Sequence, residues 1–228
     1  MGRGDRGAAP SRLSAALFAA FALGSPALGQ SARDLERRDG RIQAPAVTEY
    51  LQRIENRLAA AAGRKPLEIR LTRSARLYAA VTGAAQYLSA GLAKRPGNEM
   101  ELAGLLAHQL AHRQGATSPP CVLSPFPAPE GTERRREEEQ RASRQALTFL
   151  KAAGYDPAGL LDLFSKLAYE HPAWAQAIVV EDLLSLRSAI EIEEPPPAGY
   201  RVNTSEFVEQ RDNLLAILGE RGSVRLKP

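Results

Sequence analysis

The feature that most restricts the fold of this 228-residue sequence is a strongly apolar helical segment at residues 99–113. Leucine or alanine occupies nearly every side of this segment, and a helix that is apolar all round is normally buried. Asn98, immediately before it, is a suitable N-cap, and Glu101 completes the pattern of a capping box. We therefore expect this helix to lie at the centre of the fold.

Two histidines, His108 and His112, lie four positions apart on this helix. Residues at this spacing share a helix face with their Cβ atoms about 5–6 Å apart, so both imidazoles can reach one tetrahedral metal ion. The alternative is that both are core histidines with separate hydrogen-bond partners. Burying two unpartnered rings would cost about 1–3 kcal/mol each, and a shared metal ion removes that cost. The pattern therefore favours a metal site.

The segments around this helix predict an α+β fold, mainly helical, with a small β-sheet and an active-site helix. The aromatic content of 6% also favours packed helices over a β-sandwich. Further helices are predicted at residues 47–58, 133–153, 157–167 and 206–218, the last capped by Ser205, and strands at residues 67–71, 78–81 and 84–89.

The N-terminal 29 residues have the features of a cleavable signal peptide. Arginines precede an apolar run at residues 13–23, and Ala27 and Gly29 provide small side chains at a cleavage site. The run is too short to cross a bilayer, and no later segment is long and apolar enough to do so, so no transmembrane segment is expected after signal removal. The sequence thus predicts an exported protein, either periplasmic or secreted.

The remainder of the chain divides into three parts. Residues 30–43 are rich in charge and are predicted to be a solvated lead-in, residues 44–192 the main domain, and residues 193–228 a proline-rich linker and C-terminal helix. The formal net charge of +4 is too small to indicate a nucleic-acid partner. Cys121 is the only cysteine, which excludes an intramolecular disulfide.

Residues 69–167 resemble the gluzincin metallopeptidases of the HtpX, BepA and CAAX prenyl protease family. The family's H-E-x-x-H motif corresponds to residues 108–112, its E-x-x-A-D motif to residues 139–143, and its A-G-Y-D-P turn to residues 153–157. The resemblance implies a zinc-dependent endopeptidase in which one zinc ion is held by His108, His112 and Glu139. It also implies an unfolded or extended peptide substrate. Without this resemblance, Glu139 would be interpreted as part of a charged helix face. Glu138, the preceding residue, is the alternative ligand.

Gln109 is the departure from the family that bears most on function. In H-E-x-x-H peptidases this position is a glutamate that accepts a proton from the attacking water, and an amide has no useful basicity. Without a general base, a factor of about 10²–10⁴ in rate should be lost. The chain is therefore expected to have impaired or no proteolysis. The alternatives are a non-catalytic peptide-binding or chaperone-like module of the cell envelope, and a structural domain that has lost its metal.

Four other features complete the predicted site. Ser143 replaces the family's aspartate, and losing a group that orients a ligand histidine typically weakens metal affinity about 10–100-fold. The connection between the motifs is short and contains five prolines at residues 118–129, which suggests that part of a substrate cleft is missing. His171, in a His-Pro pair, is a possible fourth ligand or lid, although a lone surface histidine is the more common case. The strand at residues 78–81 is a candidate edge that would receive an extended peptide.

Overall fold

The structure, a computed structural model, describes residues 32–82, 84–112, 132–170, 180–191 and 198–220. Within those residues the fold is α+β, mainly helical, with one three-stranded sheet, as predicted. The helices are α1 (Ala32–Asp39), α2 (Pro45–Ala61), α3 (Ala90–Ala93), α4 (Glu99–Ala111), α5 (Thr132–Ala152), α6 (Ala158–Glu170), α7 (Val180–Glu191) and α8 (Ser205–Ile217). The strands are β1 (Glu68–Thr72), β2 (Ala79–Thr82) and β3 (Ala85–Ser89). The predicted signal peptide and the proline-rich connection lie outside the described residues.

The sheet has the strand order β1-β3-β2. Strand β3 is central, with β1 parallel to it and β2 antiparallel, and each strand begins one residue after its predicted start. Leu88 lies opposite Leu71 on one side and Ala79 on the other, and this row faces the helices. Among the described strands only β3 pairs with β2, so β2 is an edge strand.

The charged lead-in is not simply solvated, and that prediction was wrong for α1. Leu35 of α1 is buried against Tyr78 and Tyr87, on the sheet face opposite the main core. Asp39 at the end of the helix accepts a hydrogen bond from the Tyr78 hydroxyl. Leu35 therefore attaches this short helix to the sheet although most of its neighbours in sequence are charged.

Helix α4 is buried between α2, α5 and α6, which confirms its predicted central position. Asn98 caps it as expected, because its Oδ1 accepts from the backbone N–H of Glu101 at 2.9 Å. The reciprocal bond of the capping box goes elsewhere: the Glu101 carboxylate accepts from Gly97 N at 2.9 Å. Lys166 of α6 donates to the same carboxylate at 2.6 Å, which ties α6 to the start of α4.

The C-terminal segment also supports the start of α4. The backbone N–H of Met100 donates to Val202 O at 3.0 Å, and that of Glu99 to Asn203 Oδ1 at 3.2 Å. These bonds satisfy two of the N–H groups that an α-helix leaves open at its N-terminus. Helix α8 then packs on α2, and its cap is Thr204, one residue before the predicted Ser205.

No helix in the described ranges combines the length and the apolar character that crossing a membrane requires.

Candidate metal centre

The two histidines lie at the C-terminal end of α4. His108 is within the helix, whereas His112 is its C-cap, with φ −66° and ψ −13°. This backbone conformation is still helical, and the N–H of His112 donates to His108 O at 3.3 Å. The four-residue spacing therefore keeps both rings on one face, as the sequence predicted. Arg64, which follows α2, donates to Leu110 O at 2.8 Å and fixes the last turn of the helix.

Glu139 of α5 completes the cluster. Its Oε2 lies 3.1 Å from His108 Nε2 and 3.2 Å from His112 Nε2, and the two Nε2 atoms are 3.1 Å apart. Three potential ligand atoms from two helices thus form a nearly equilateral triangle. Glu138, the alternative ligand by sequence, instead accepts a hydrogen bond from Arg141 at 2.8 Å.

These distances match the requirements of a bound metal ion. Two ligand atoms that are each about 2.0–2.1 Å from a tetrahedral zinc ion lie about 3.3 Å apart, close to the separations in this cluster. Two imidazole nitrogens and one carboxylate oxygen also form a donor set that several first-row metals accept. The group formed by His108, His112 and Glu139 could therefore hold a metal ion.

Burial and hydrogen bonding act in opposite directions on Glu139. Burial raises the pKa of this carboxyl group, but hydrogen bonds from His108 and His112, together with any positive charge on these rings, outweigh burial and lower the pKa below its usual value. The carboxylate is therefore ionised at neutral pH, which is the form that coordinates a metal ion.

Both ring nitrogens of His108 have partners. Nε2 faces Glu139, while Nδ1 lies 3.3 Å from the Ser143 hydroxyl oxygen. Phe164 of α6 packs edge-on against the same ring, with centroids 5.0 Å apart and an angle of 80° between the planes. The sequence marked Ser143 only as a departure from the family pattern, although its spacing of four from Glu139 placed both on one helix face. Phe164 had no distinguishing signal within the apolar stripe of α6.

Gln109, between the two histidines in sequence, has no exposed surface. Its neutral amide is therefore inside the core. An ionised side chain at this position would be costly to bury without partners. His171 lies outside the described residues.

The turn between α5 and α6 positions α6 against the cluster. Gly154 has φ +77°, a conformation that favours glycine, and Tyr155 is buried. Asp156 then accepts from Ala158 N at 2.9 Å and starts α6 as the predicted cap. Phe164 reaches His108 from this helix, so the turn contributes to the position of the ring.

Comparison with known proteins adds no assignment, because neither a protein-family model nor a curated protein sequence matches this chain.

Proposed function

We propose that the chain is an exported zinc metallopeptidase of the gluzincin type in which proteolysis is impaired or absent and peptide binding is retained. The observation that carries the proposal is the convergence of His108, His112 and Glu139, with three ligand atoms separated by 3.1–3.2 Å. The order of the three motifs along the sequence supports the gluzincin type.

A bound zinc ion and Gln109 would contribute differently to peptide hydrolysis. A bound zinc ion would act as a Lewis acid that polarises a peptide carbonyl and activates water. Gln109 can accept and donate hydrogen bonds, but it cannot take up the proton that peptide hydrolysis releases. Substrate can therefore be oriented at this site without an efficient path for the proton, which supports a binding function over turnover.

The edge strand β2 supports an extended peptide as the bound partner. One of its sides pairs with β3, while the other pairs with no described strand; Ala79 and Ala80 are buried and Val81 is half-buried, so a further strand would add at the Val81 end. Strand addition recognises the backbone and is tolerant of sequence. The strand also packs beside α4, the helix that carries both histidines. An unfolded or extended segment of a cell-envelope protein fits this arrangement.

The experiment that tests this proposal is the substitution Gln109→Glu. The zinc-loaded variant should cleave an unfolded substrate such as casein about 10²–10⁴ times faster than the wild-type chain, and a chelator should abolish the activity. The double variant His108→Ala, Gln109→Glu is the matched control and should be inactive. Wild-type cleavage that is already fast, and unchanged by the substitution, would contradict the silenced-peptidase mechanism.

Peptide binding is measured separately on the wild-type chain. The zinc-loaded protein should bind a fluorescent extended peptide and leave it uncleaved. A proline substitution at Val81 should weaken this binding if it removes an outward-facing N–H of β2, whereas Val81→Ala should retain it. A wild-type chain that neither binds nor cleaves any extended peptide would leave a structural domain as the better description.

A further inference from the structure

The partners of His108 suggest a role for Ser143 that the family pattern does not supply. A hydroxyl can donate one hydrogen bond and accept others, whereas an ionised carboxylate only accepts. Ser143 is buried, and its Oγ lies 3.3 Å from His108 Nδ1. Glu139 contacts the opposite nitrogen of the same ring at 3.1 Å. The ring therefore lies between a hydroxyl that can do both and a carboxylate that only accepts, with His112 Nε2 also 3.1 Å from His108 Nε2.

Two hydrogen-bonding arrangements of the neutral ring follow from this geometry. In the metal-free protein the Glu139 carboxylate only accepts, and a His108 ring that donates to it carries its proton on Nε2, while His112 Nε2 lies 3.2 Å from the same oxygen. Nδ1 is then bare and accepts from the Ser143 hydroxyl. When Nε2 is a metal ligand its lone pair is used, so Nδ1 carries the proton and donates to Ser143 Oγ. The ring stays neutral in both arrangements, because one nitrogen loses a proton and the other gains one.

We propose that Ser143 is a positioning residue whose hydroxyl reverses its hydrogen bond with His108 when the metal binds, so that the ring keeps its orientation with and without the ion. An aspartate at this position would accept in both states and would favour the metal-ligating tautomer even in the metal-free protein. The inference rests on the proposed function in assigning His108 as a metal ligand. Phe164 contributes by packing against the ring and limiting its rotation.

The consequence is a site that can bind and release the metal ion without a change in the orientation of His108. The hydroxyl stabilises the metal-free arrangement as well as the loaded one, so it does not drive metal binding as strongly as a carboxylate does. The metal affinity of the wild-type chain should therefore fall between those of a variant that lacks the hydroxyl and a variant that carries a carboxylate.

Four single variants test this inference, with zinc itself as the probe. Ser143→Ala should weaken zinc affinity about 10–100-fold in a chelator-competition titration, and Ser143→Asp should strengthen it. Ser143→Thr retains the hydroxyl and should restore affinity to nearly that of the wild type. Thr148→Ala removes an exposed hydroxyl from the same helix and should leave the affinity unchanged. Equal zinc affinities for the wild type and Ser143→Ala would overturn the inference.

Nitrogen chemical shifts of His108 provide a readout that a merely structural role would not change. In the metal-free wild type, Nε2 should carry the proton, and zinc should move the proton to Nδ1. In metal-free Ser143→Asp, Nδ1 should already be protonated. Protonation of Nδ1 in the metal-free wild type would overturn the inference. A wild-type chain that binds no zinc would refute the proposed function, and the metal-free spectra would then decide the role of Ser143 by themselves.

Discussion

Gly159 lies so close to the backbone of Met100 that a Cβ atom at this glycine would be 2.3 Å from the Met100 carbonyl carbon and oxygen. Gly159 is in the first turn of α6, and Met100 is in the first turn of α4. The same pair of helices approaches closely at Gly104, where a Cβ atom would be 2.7 Å from Leu160 N. The contact fixes α6 relative to the helix that carries His108.

Substituting Gly159 by alanine should therefore destabilise the protein. The added methyl group meets backbone atoms that cannot rotate away, and overpacking of this kind typically costs about 1–3 kcal/mol. Urea unfolding followed by circular dichroism measures the free energy of unfolding. Gly97→Ala is the control, because a Cβ atom there would meet the flexible Lys166 Nζ at 3.4 Å, and its effect should be small. Equal stability of Gly159→Ala and the wild type would refute the close approach.

The substitution Tyr50→Phe tests how much the Glu99 carboxylate, which links the C-terminal segment to α4, contributes to stability. Glu99 is buried and accepts from the hydroxyls of Tyr50, at 3.0 Å, and Thr204. Losing one hydrogen bond to a buried carboxylate should lower the free energy of unfolding by about 1.5–3 kcal/mol. Tyr87→Phe is the control, since the hydroxyl of Tyr87 contacts an arginine that has other partners, and it should cost less. A smaller loss for Tyr50→Phe than for Tyr87→Phe would contradict this role of Glu99.

A buried amide offers a substitution that should stabilise the protein. Gln86 of β3 has no exposed surface, and its side-chain nitrogen and oxygen have no hydrogen-bond partner in the described structure. Such a buried polar group costs about 1–3 kcal/mol. Gln86→Met keeps a similar shape and removes the polar atoms, so the free energy of unfolding should rise by about that amount. A loss of stability in thermal and urea unfolding would show that the amide is satisfied in solution.

Alkaline pH should weaken the contact between α1 and Tyr78, which immediately precedes β2. Burial raises the pKa of Tyr78 to about 12, and its hydrogen bond to Asp39 adds to the effect. In the unfolded chain tyrosine titrates at about pH 10, so between about pH 10 and 12 the hydroxyl of Tyr78 holds its proton more tightly in the folded state. The stabilisation is complete below about pH 10 and is lost as the pH rises to about 12.

The slope of stability with pH measures this contribution. Over that interval, the free energy of unfolding of the wild type should fall more steeply than that of Tyr78→Phe, by up to about 1.4 kcal/mol per pH unit. Other tyrosines titrate in both proteins, so only the difference between the two slopes is attributed to Tyr78. Identical slopes would contradict the raised pKa.

The elements that position the cluster were predictable because their signals are local. The apolar character of α4, its Asn98 cap and the spacing of its histidines are all set within one helix, and each was confirmed. The alternating pattern of residues 67–71 and the two short strand candidates at residues 78–81 and 84–89 also placed the strands within one residue. These signals do not depend on which other part of the chain packs nearby.

The remaining features depend on distant contacts. Thr204 and Ser205 are both chemically suitable caps, and Thr204 takes this role. Its hydroxyl also contacts Glu99, which lies far away in sequence. Leu35 is buried because Tyr78, just before β2, and Tyr87 of β3 cover it, which no local pattern indicates. The ring of Phe164 reaches His108 for the same reason. The ligands of the cluster were therefore more predictable from the sequence than the residues that pack around them.

The most direct test of the account is the metal content of the purified chain after zinc loading and removal of excess ion. Elemental analysis should find about one zinc ion per wild-type chain, which Glu139→Gln should largely lose while Glu138→Gln retains it. A folded wild-type chain that holds no stoichiometric zinc, or equal losses in the two glutamine variants, would contradict the assignment of His108, His112 and Glu139 as a metal centre.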